Sequence, residues 1–163
     1  MDVLQEVHGG DTNGCHVTNG GDLVLAGLGL GTKLPSLGHI SFNELRDTYE
    51  EHARALIEGG VDLLLIETCM DLLQIKSAMQ GGRRAMKAMG REVPIQVQVT
   101  METTGRMLVG TEIGAALSAL LAMKPAVIGI NCATGPAEMQ EHLRHLSQHC
   151  PIPISVLPNA GLP

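Results

Sequence analysis

The sequence predicts an α/β protein built from repeated βα units. Short apolar segments alternate along the chain with longer amphipathic segments, and the later apolar segments begin roughly 30 residues apart, the length of one βα unit. Few polar residues interrupt the apolar segments, as expected of parallel strands that are buried on both faces. Five strands are predicted, at Leu23–Ala26, Val61–Ile66, Pro94–Thr100, Ala126–Asn131 and Ile154–Leu157.

The segments between the strands carry helix boundary signals. Ser41 followed by Glu44 forms a capping box, and Asp71 suits the N-cap of the next helix. Pro136 suits the first position of the last helix, whereas the pair Gly81–Gly82 lowers helix propensity in the middle of the second one. The predicted helices run from Ser41 to Gly59, from Asp71 to Met89, from Glu112 to Met123 and from Pro136 to His149.

Repeated βα units form either a doubly wound sheet or a (β/α)8 barrel. A full barrel has eight strands and typically about 250 residues, whereas this chain has 163. A barrel interpretation therefore predicts a partial TIM barrel of about five parallel strands over residues 22–163, with Gln96 and Gln98 on the side of the lumen. Residues 1–21 are rich in turn-forming residues, and we expect a flexible N-terminal tail there.

The composition excludes several classes of protein. Hydrophobic residues make up 44% of the chain and charged residues 17%, which is typical of a globular domain. The net charge of −6 argues against nucleic acid or an anionic membrane as the main partner, and neither a transmembrane segment nor a signal peptide is predicted. The four cysteines follow no zinc-finger or CxxC spacing, so we expect free thiols and a cytoplasmic protein.

Polar residues follow the predicted strands at their carboxyl ends, and these ends converge on one face of a βα-repeat fold. Glu67 follows four apolar residues, and a carboxylate there needs a partner: it is either a site for a substrate ammonium, a general base, or half of a structural ion pair. Cys132 is a candidate nucleophile or metal ligand, although buried free cysteines are often inert. The polar residues at the strand ends are Glu67, Thr68, Thr100, Asn131, Cys132 and Asn159.

Two further groups have weaker claims to chemistry. The histidines His142, His145 and His149 share one helix face, where a solvated surface is favoured over a metal site. Arg106 lies in a turn, and either Glu112 or a substrate carboxylate could pair with it.

Five segments of the chain match one known family, at residues 32–35, 56–68, 105–108, 129–136 and 158–163. Together they resemble the homocysteine S-methyltransferase family, and most of all the homocysteine-binding domain of cobalamin-dependent methionine synthases. The resemblance implies a (β/α)8 barrel that binds Zn²⁺ through three cysteine thiolates and uses the zinc to activate the homocysteine thiol for attack on a methyl donor. By this resemblance Cys132 matches the first zinc ligand, Glu67 the carboxylate that receives the amino group of the substrate, and Asn131 a neighbour that we expect to bind substrate.

The chain also departs from the family pattern. The other two zinc ligands of the family form a Cys-Cys pair on the last strand, and Cys15, Cys69 and Cys150 do not match it. The first two strands of the family have no recognisable counterpart in residues 1–21. We therefore expect a fragment that is incomplete as a lone chain. Its expected partners are homocysteine and either the missing methionine synthase domains or another copy of the chain, and cobalamin and methyltetrahydrofolate would act only through the missing domains.

Two other interpretations compete with a methyltransferase. The chain could be a non-catalytic half-barrel assembly module, because an open parallel sheet leaves edge strands that must be covered. It could also be an intact flavodoxin-like enzyme that uses Cys132 as a nucleophile.

Overall fold

The computed structural model describes residues 15–17, 24–28 and 32–160, and its centre is a six-stranded sheet in which the strands lie in sequence order. The first two strands pair antiparallel, and every later neighbour pairs parallel. The prediction of about five parallel strands in a partial (β/α)8 barrel is thus confirmed. The strands are β1 (Cys15–Val17), β2 (Val24–Gly27), β3 (Leu63–Cys69), β4 (Ile95–Val99), β5 (Val127–Asn131) and β6 (Ile154–Leu157).

Helices connect the parallel strands where the capping signals predict them. The side chain of Ser41 accepts a hydrogen bond from the Glu44 backbone N–H, and Asp71 caps the second helix through the Leu73 N–H. No helix in the described ranges is both long and apolar enough to cross a membrane. The helices are α1 (Phe42–Glu58), α2 (Leu72–Met89), α3 (Ile113–Met123) and α4 (Pro136–His149), and a short 3₁₀ helix at Pro35–Leu37 precedes α1.

The structure differs from the prediction at β1. Cys15–Val17 fall in the predicted flexible tail, yet they pair antiparallel with Val24–Ala26. The physical reason is that β2 would otherwise be the edge of the sheet, and an antiparallel strand covers its unpaired backbone groups. Residues 1–14 and 18–21 of the predicted tail lie outside the described residues.

The two faces of the sheet differ in polarity. Val97 and Val99 of β4 belong to the apolar core that packs against the helices, whereas Gln96 and Gln98 point to the opposite face, as predicted for the lumen side. Both glutamines are buried. The Gln98 Nε2 donates a hydrogen bond of 2.8 Å to Ser155 Oγ on β6, which ties two strands that flank β5. The face of the sheet opposite the helices is therefore polar around Gln96 and Gln98.

The contact between α1 and α2 depends on a glycine in α2. A methyl group on Gly81 would lie 2.6 Å from the backbone oxygen of Arg46 and 2.7 Å from the backbone nitrogen of Glu50, both on α1. The Gly81–Gly82 pair lowers helix propensity, but α2 runs through it without interruption. Close backbone approach thus explains why the helix carries a glycine at position 81.

Substitution of the two adjacent glycines should have opposite effects on stability. Gly81→Ala should lower the free energy of unfolding by about 1–3 kcal/mol, because α1 and α2 must move apart. Gly82→Ala is the matched control: its methyl group would lie 3.5 Å from Leu64 and 3.6 Å from Ile95, which is ordinary contact. It should raise stability by about 0.5–1 kcal/mol because alanine is the better helix former. Urea unfolding of both variants checks this pair, and equal effects would contradict the assigned packing.

Candidate functional site

The carboxyl ends of β3 and β5 are joined by one side chain. Asn131, at the end of β5, is 3% exposed. Its Oδ1 accepts a hydrogen bond of 2.9 Å from the backbone N–H of Thr68, and its Nδ2 donates one of 2.8 Å to Thr68 Oγ1. The strand between them takes part as well, because Thr100 Oγ1 donates to the backbone oxygen of Asn131 at 3.1 Å. Three neighbouring strands are therefore fastened together at this edge.

The thiol of Cys132 lies beside this connection. Its sulfur is 3.4 Å from Asn131 Nδ2 and 3.8 Å from Thr68 Oγ1. Cys132 and Ala133 have φ values of 57° and 58°, and the N–H of Thr134 returns to the Cys132 carbonyl at 2.7 Å. The chain therefore turns sharply after β5, and Cys132 is only partly buried at the turn.

Glu67 lies next to Thr68 in an irregular part of β3. Ile66 pairs with Val97 and Cys69 with Val99, so Glu67 and Thr68 together stand opposite the single residue Gln98. Glu67 is half-buried. The predicted strand ended at Ile66, but in the structure β3 continues through this bulge to Cys69.

The second thiol near this edge is of a different kind. Cys69 is fully buried, and burial raises the pKa of its thiol well above the usual value; the nearby charges of Glu67 and Asp71 raise it further. A thiol in such surroundings stays protonated and is a poor nucleophile or metal ligand. Of the two, Cys132 is therefore the candidate for chemistry.

Asp71 is a buried carboxylate with a structural role. Besides capping α2, it accepts hydrogen bonds from the backbone N–H and the hydroxyl of Ser36, at 2.8 and 2.7 Å. These bonds fix the 3₁₀ helix that follows β2 against the start of α2. The sequence predicted the cap but not the contact with Ser36, which is 35 residues away in the chain.

The described residues contain no group of three His, Cys, Asp or Glu side chains that could hold a metal ion. Cys132 fits a zinc site as one ligand, because it is an accessible sulfur with two hydrogen-bonding neighbours. A structural or catalytic zinc needs at least three protein ligands. The residues that the structure describes therefore do not fit a complete zinc site.

The two weaker groups differ in burial: His149 is exposed, whereas His142 and His145 are partly buried. The rings of His145 and His149 pack at 4.5 Å between centroids, and desolvation lowers the pKa of His142. Arg106 forms an ion pair with Glu112, one of the two partners considered for it, and both side chains are more than half exposed.

The sequence predicts Glu67, Asn131 and Cys132 at one edge of the sheet, and the structure places all three there. The sequence analysis assigns no role to Thr68, but in the structure Thr68 contacts both Asn131 and Cys132. The available signal was its position at the end of a predicted strand. The backbone of Thr68 is left-handed, with φ of 55°. A threonine in the sequence does not indicate this conformation, because it is rare for a β-branched residue.

Asn131→Ala should lower the free energy of unfolding by about 1–3 kcal/mol, because the partly buried Thr68 N–H loses its acceptor. Asn43→Ala is a suitable control, since Asn43 is exposed on α1, and it should stay within about 0.5 kcal/mol of the parent chain. Urea unfolding measures both changes. If Asn131→Ala costs no more than the control, the connection between β3 and β5 contributes no stability.

The chain is similar to known proteins in both sequence and structure. The model of the family "Homocysteine S-methyltransferase" matches residues 7–163. Two methionine synthases are each 59% identical to this chain over 140 residues, those from Mycobacterium leprae (strain TN) and Mycobacterium tuberculosis (strain ATCC 25618 / H37Rv). The matched residues make up 86% of this chain but 12% of each relative. The chain thus spans about an eighth of the length of these relatives.

A solved structure shows the same fold. The homocysteine methyltransferase MmuM from Escherichia coli, in its apo form, superposes with a TM-score of 0.67 at 23% identity. The superposition covers 85% of this chain and 50% of MmuM. Because the family model matches almost the whole chain, the conclusion is plain: this chain belongs to the homocysteine S-methyltransferase family.

Proposed function

We propose that this chain forms the homocysteine-binding part of a methionine synthase and presents the thiol of homocysteine to a methyl donor. The family supports a methyltransferase, and the names of the two mycobacterial relatives support methionine as the product. The observation that carries the proposal is the cluster of Glu67, Thr68, Asn131 and Cys132 at one carboxyl edge of the sheet. Active sites of βα barrels lie at this edge.

Glu67 is the proposed receptor for the ammonium group of homocysteine. A half-buried carboxylate attracts a cation more strongly than an exposed one, because the surrounding protein screens the charges less than water does. Thr68, the next residue, contacts the sulfur of Cys132. Glu67 is therefore the chain neighbour of a residue whose side chain contacts Cys132, which places both proposed substrate contacts at the same edge of the sheet.

Asn131 contributes to substrate binding indirectly. Its Oδ1 and Nδ2 atoms already bond to Thr68, and its Nδ2 also contacts the Cys132 sulfur. We therefore assign it to holding the two strand ends together, so that Glu67 and Cys132 keep a fixed separation.

We infer that Cys132 is one ligand of a zinc ion whose other ligands come from outside the described residues. Such an ion, when bound, lowers the pKa of a coordinated thiol and leaves a nucleophilic thiolate at neutral pH. Cobalamin and methyltetrahydrofolate belong to the proposal only through other parts of a longer protein or a partner. Free thiols at Cys69, Cys132 and Cys150 support a reducing, cytoplasmic location.

Cys132 should bind zinc only weakly, because one thiolate does not hold the ion and the described residues contain no group of three ligands around it. Equilibrium dialysis at micromolar zinc should find far less than one ion per chain, and Cys132→Ser should lower that level further. Cys150→Ser, which changes a half-buried thiol at the end of α4, should leave it unchanged. Tight stoichiometric zinc that survives Cys132→Ser would contradict the assignment.

Glu67→Gln should weaken homocysteine binding about tenfold or more, since a hydrogen bond to a charged group contributes about 1.5–3 kcal/mol. Affinity for 4-sulfanylbutanoic acid, which has no amino group, should change little. Titration calorimetry in zinc-containing buffer compares the two ligands. Glu51→Gln, exposed on α1, is the matched control. A Glu67→Gln chain that still prefers homocysteine would remove the ammonium site from Glu67.

A non-catalytic assembly module remains the second candidate, and the outer edge of β6 favours it. Among the described strands β6 has a neighbour on one side only, and its Val156 is 37% exposed. An uncovered parallel edge pairs readily with another chain. Light scattering across a range of concentrations should then show association of the purified chain, and a stable monomer with a cooperative melting transition would count against this candidate.

A further inference from the structure

Thr68 holds a backbone conformation that threonine rarely adopts. Its φ is 55°, and the left-handed region is strained for a β-branched residue. Such a residue persists only where its surroundings fix it. The side chain of Asn131 does so, because it hydrogen-bonds both the backbone N–H and the hydroxyl of Thr68. The strain is thus maintained by a residue two strands away.

The hydrogen-bond donors of this pair converge on one sulfur. One N–H of the Asn131 amide points to Thr68 Oγ1, and Nδ2 also lies 3.4 Å from Cys132 Sγ, within reach of its second N–H. Thr68 Oγ1 lies 3.8 Å from the sulfur, where either the hydroxyl or the thiol can be the donor. Cys132 Sγ therefore faces an amide donor and a hydroxyl that can donate to it or accept from it.

The backbone of Cys132 is fixed independently of its side chain. Its N–H donates to the Leu157 carbonyl on β6 at 3.2 Å, and its carbonyl accepts from Thr134. The remaining freedom of the thiol is rotation about the bond between Cα and Cβ, which has three staggered states. The Asn131 amide and the Thr68 hydroxyl are placed to select one of these states.

We propose that Thr68 is a positioning residue: its hydroxyl, together with the Asn131 amide, holds the sulfur of Cys132 in a single orientation at the carboxyl edge. The bulge in β3 and the strained backbone at Thr68 serve this placement, since a regular strand residue would carry its side chain to one face of the sheet and not along the edge. That this orientation serves homocysteine rests on the proposed function, whereas the orientation itself does not.

Three substitutions at position 68 test the role of the hydroxyl. Thr68→Val keeps the shape and removes the hydroxyl, Thr68→Ser keeps the hydroxyl, and Thr68→Gly removes the hydroxyl but also relieves the positive φ. The last variant keeps the test decisive if Thr68→Val does not fold. Thr103→Val, in an exposed turn, is the control.

The measurement is NMR of the full chain labelled with [3-¹³C]cysteine, read through the Hα–Hβ couplings of Cys132. The parent chain, Thr68→Ser and the Thr103→Val control should show the couplings of one rotamer. Thr68→Val and Thr68→Gly should show averaged couplings and a shifted Cβ resonance, while the Cys150 signals stay in place. Single-rotamer couplings in folded Thr68→Gly, or averaged couplings in the parent chain, would overturn the inference.

The failure of the inference can be told from failure of the proposed function. If Glu67→Gln abolishes the preference for homocysteine and Cys132 nevertheless keeps its rotamer in Thr68→Gly, the positioning role falls and the function stands. If the Cys132 couplings average in Thr68→Gly but Glu67→Gln leaves the preference for homocysteine unchanged, the proposed function is wrong and the positioning role of Thr68 is supported.

Discussion

The candidate site depends on the pair of hydrogen bonds between Asn131 and Thr68. A parallel sheet holds its strands together along their length, but its carboxyl edge is where the chain leaves for the helices and where backbone partners run out. Asn131 supplies an amide in place of those missing partners and connects β3 with β5 across β4. Thr68 and Cys132 contact Asn131 directly, and Glu67 precedes Thr68 in the chain, so these hydrogen bonds order this edge of the sheet without a ligand.

The neighbouring features follow from the same constraint. The bulge in β3 lets Glu67 and Thr68 oppose one residue of β4, and the sharp turn after β5 lets Cys132 remain at the edge while α4 begins four residues later. Non-glycine residues with positive φ concentrate here: Thr68, Cys132 and Ala133 are three of the four in the described ranges. Strain of this kind is typical of sites that bind or react. Cys69, one residue beyond Thr68, differs from Cys132 because it is buried in the core, where a raised pKa keeps its thiol protonated.

Much of the fold could be predicted from the sequence because its signals are local. The capping residues Ser41 and Asp71 and the apolar strands need no knowledge of distant partners, and the structure has them where the patterns predict. The pairing of β1 with β2 could not be predicted, because the advantage of covering an edge appears only once the sheet exists. Gly81 lowers the helix propensity of α2, and only the structure shows that the backbone of α1 leaves no space for a larger residue there. Likewise, Glu67, Asn131 and Cys132 were predicted as site residues from their strand ends, whereas the role of Thr68 depends on a contact 63 residues away.

We propose that the edge formed by Glu67 and Cys132 receives homocysteine with its ammonium at one residue and its sulfur at the other. A crystal structure of the protein with zinc and homocysteine tests this proposal most directly. The substrate nitrogen should lie within hydrogen-bonding distance of the Glu67 carboxylate and the substrate sulfur on the side of Cys132, with Asn131 still bonded to Thr68. A substrate bound elsewhere, or bound at this edge with Glu67 turned away from its nitrogen, would contradict it.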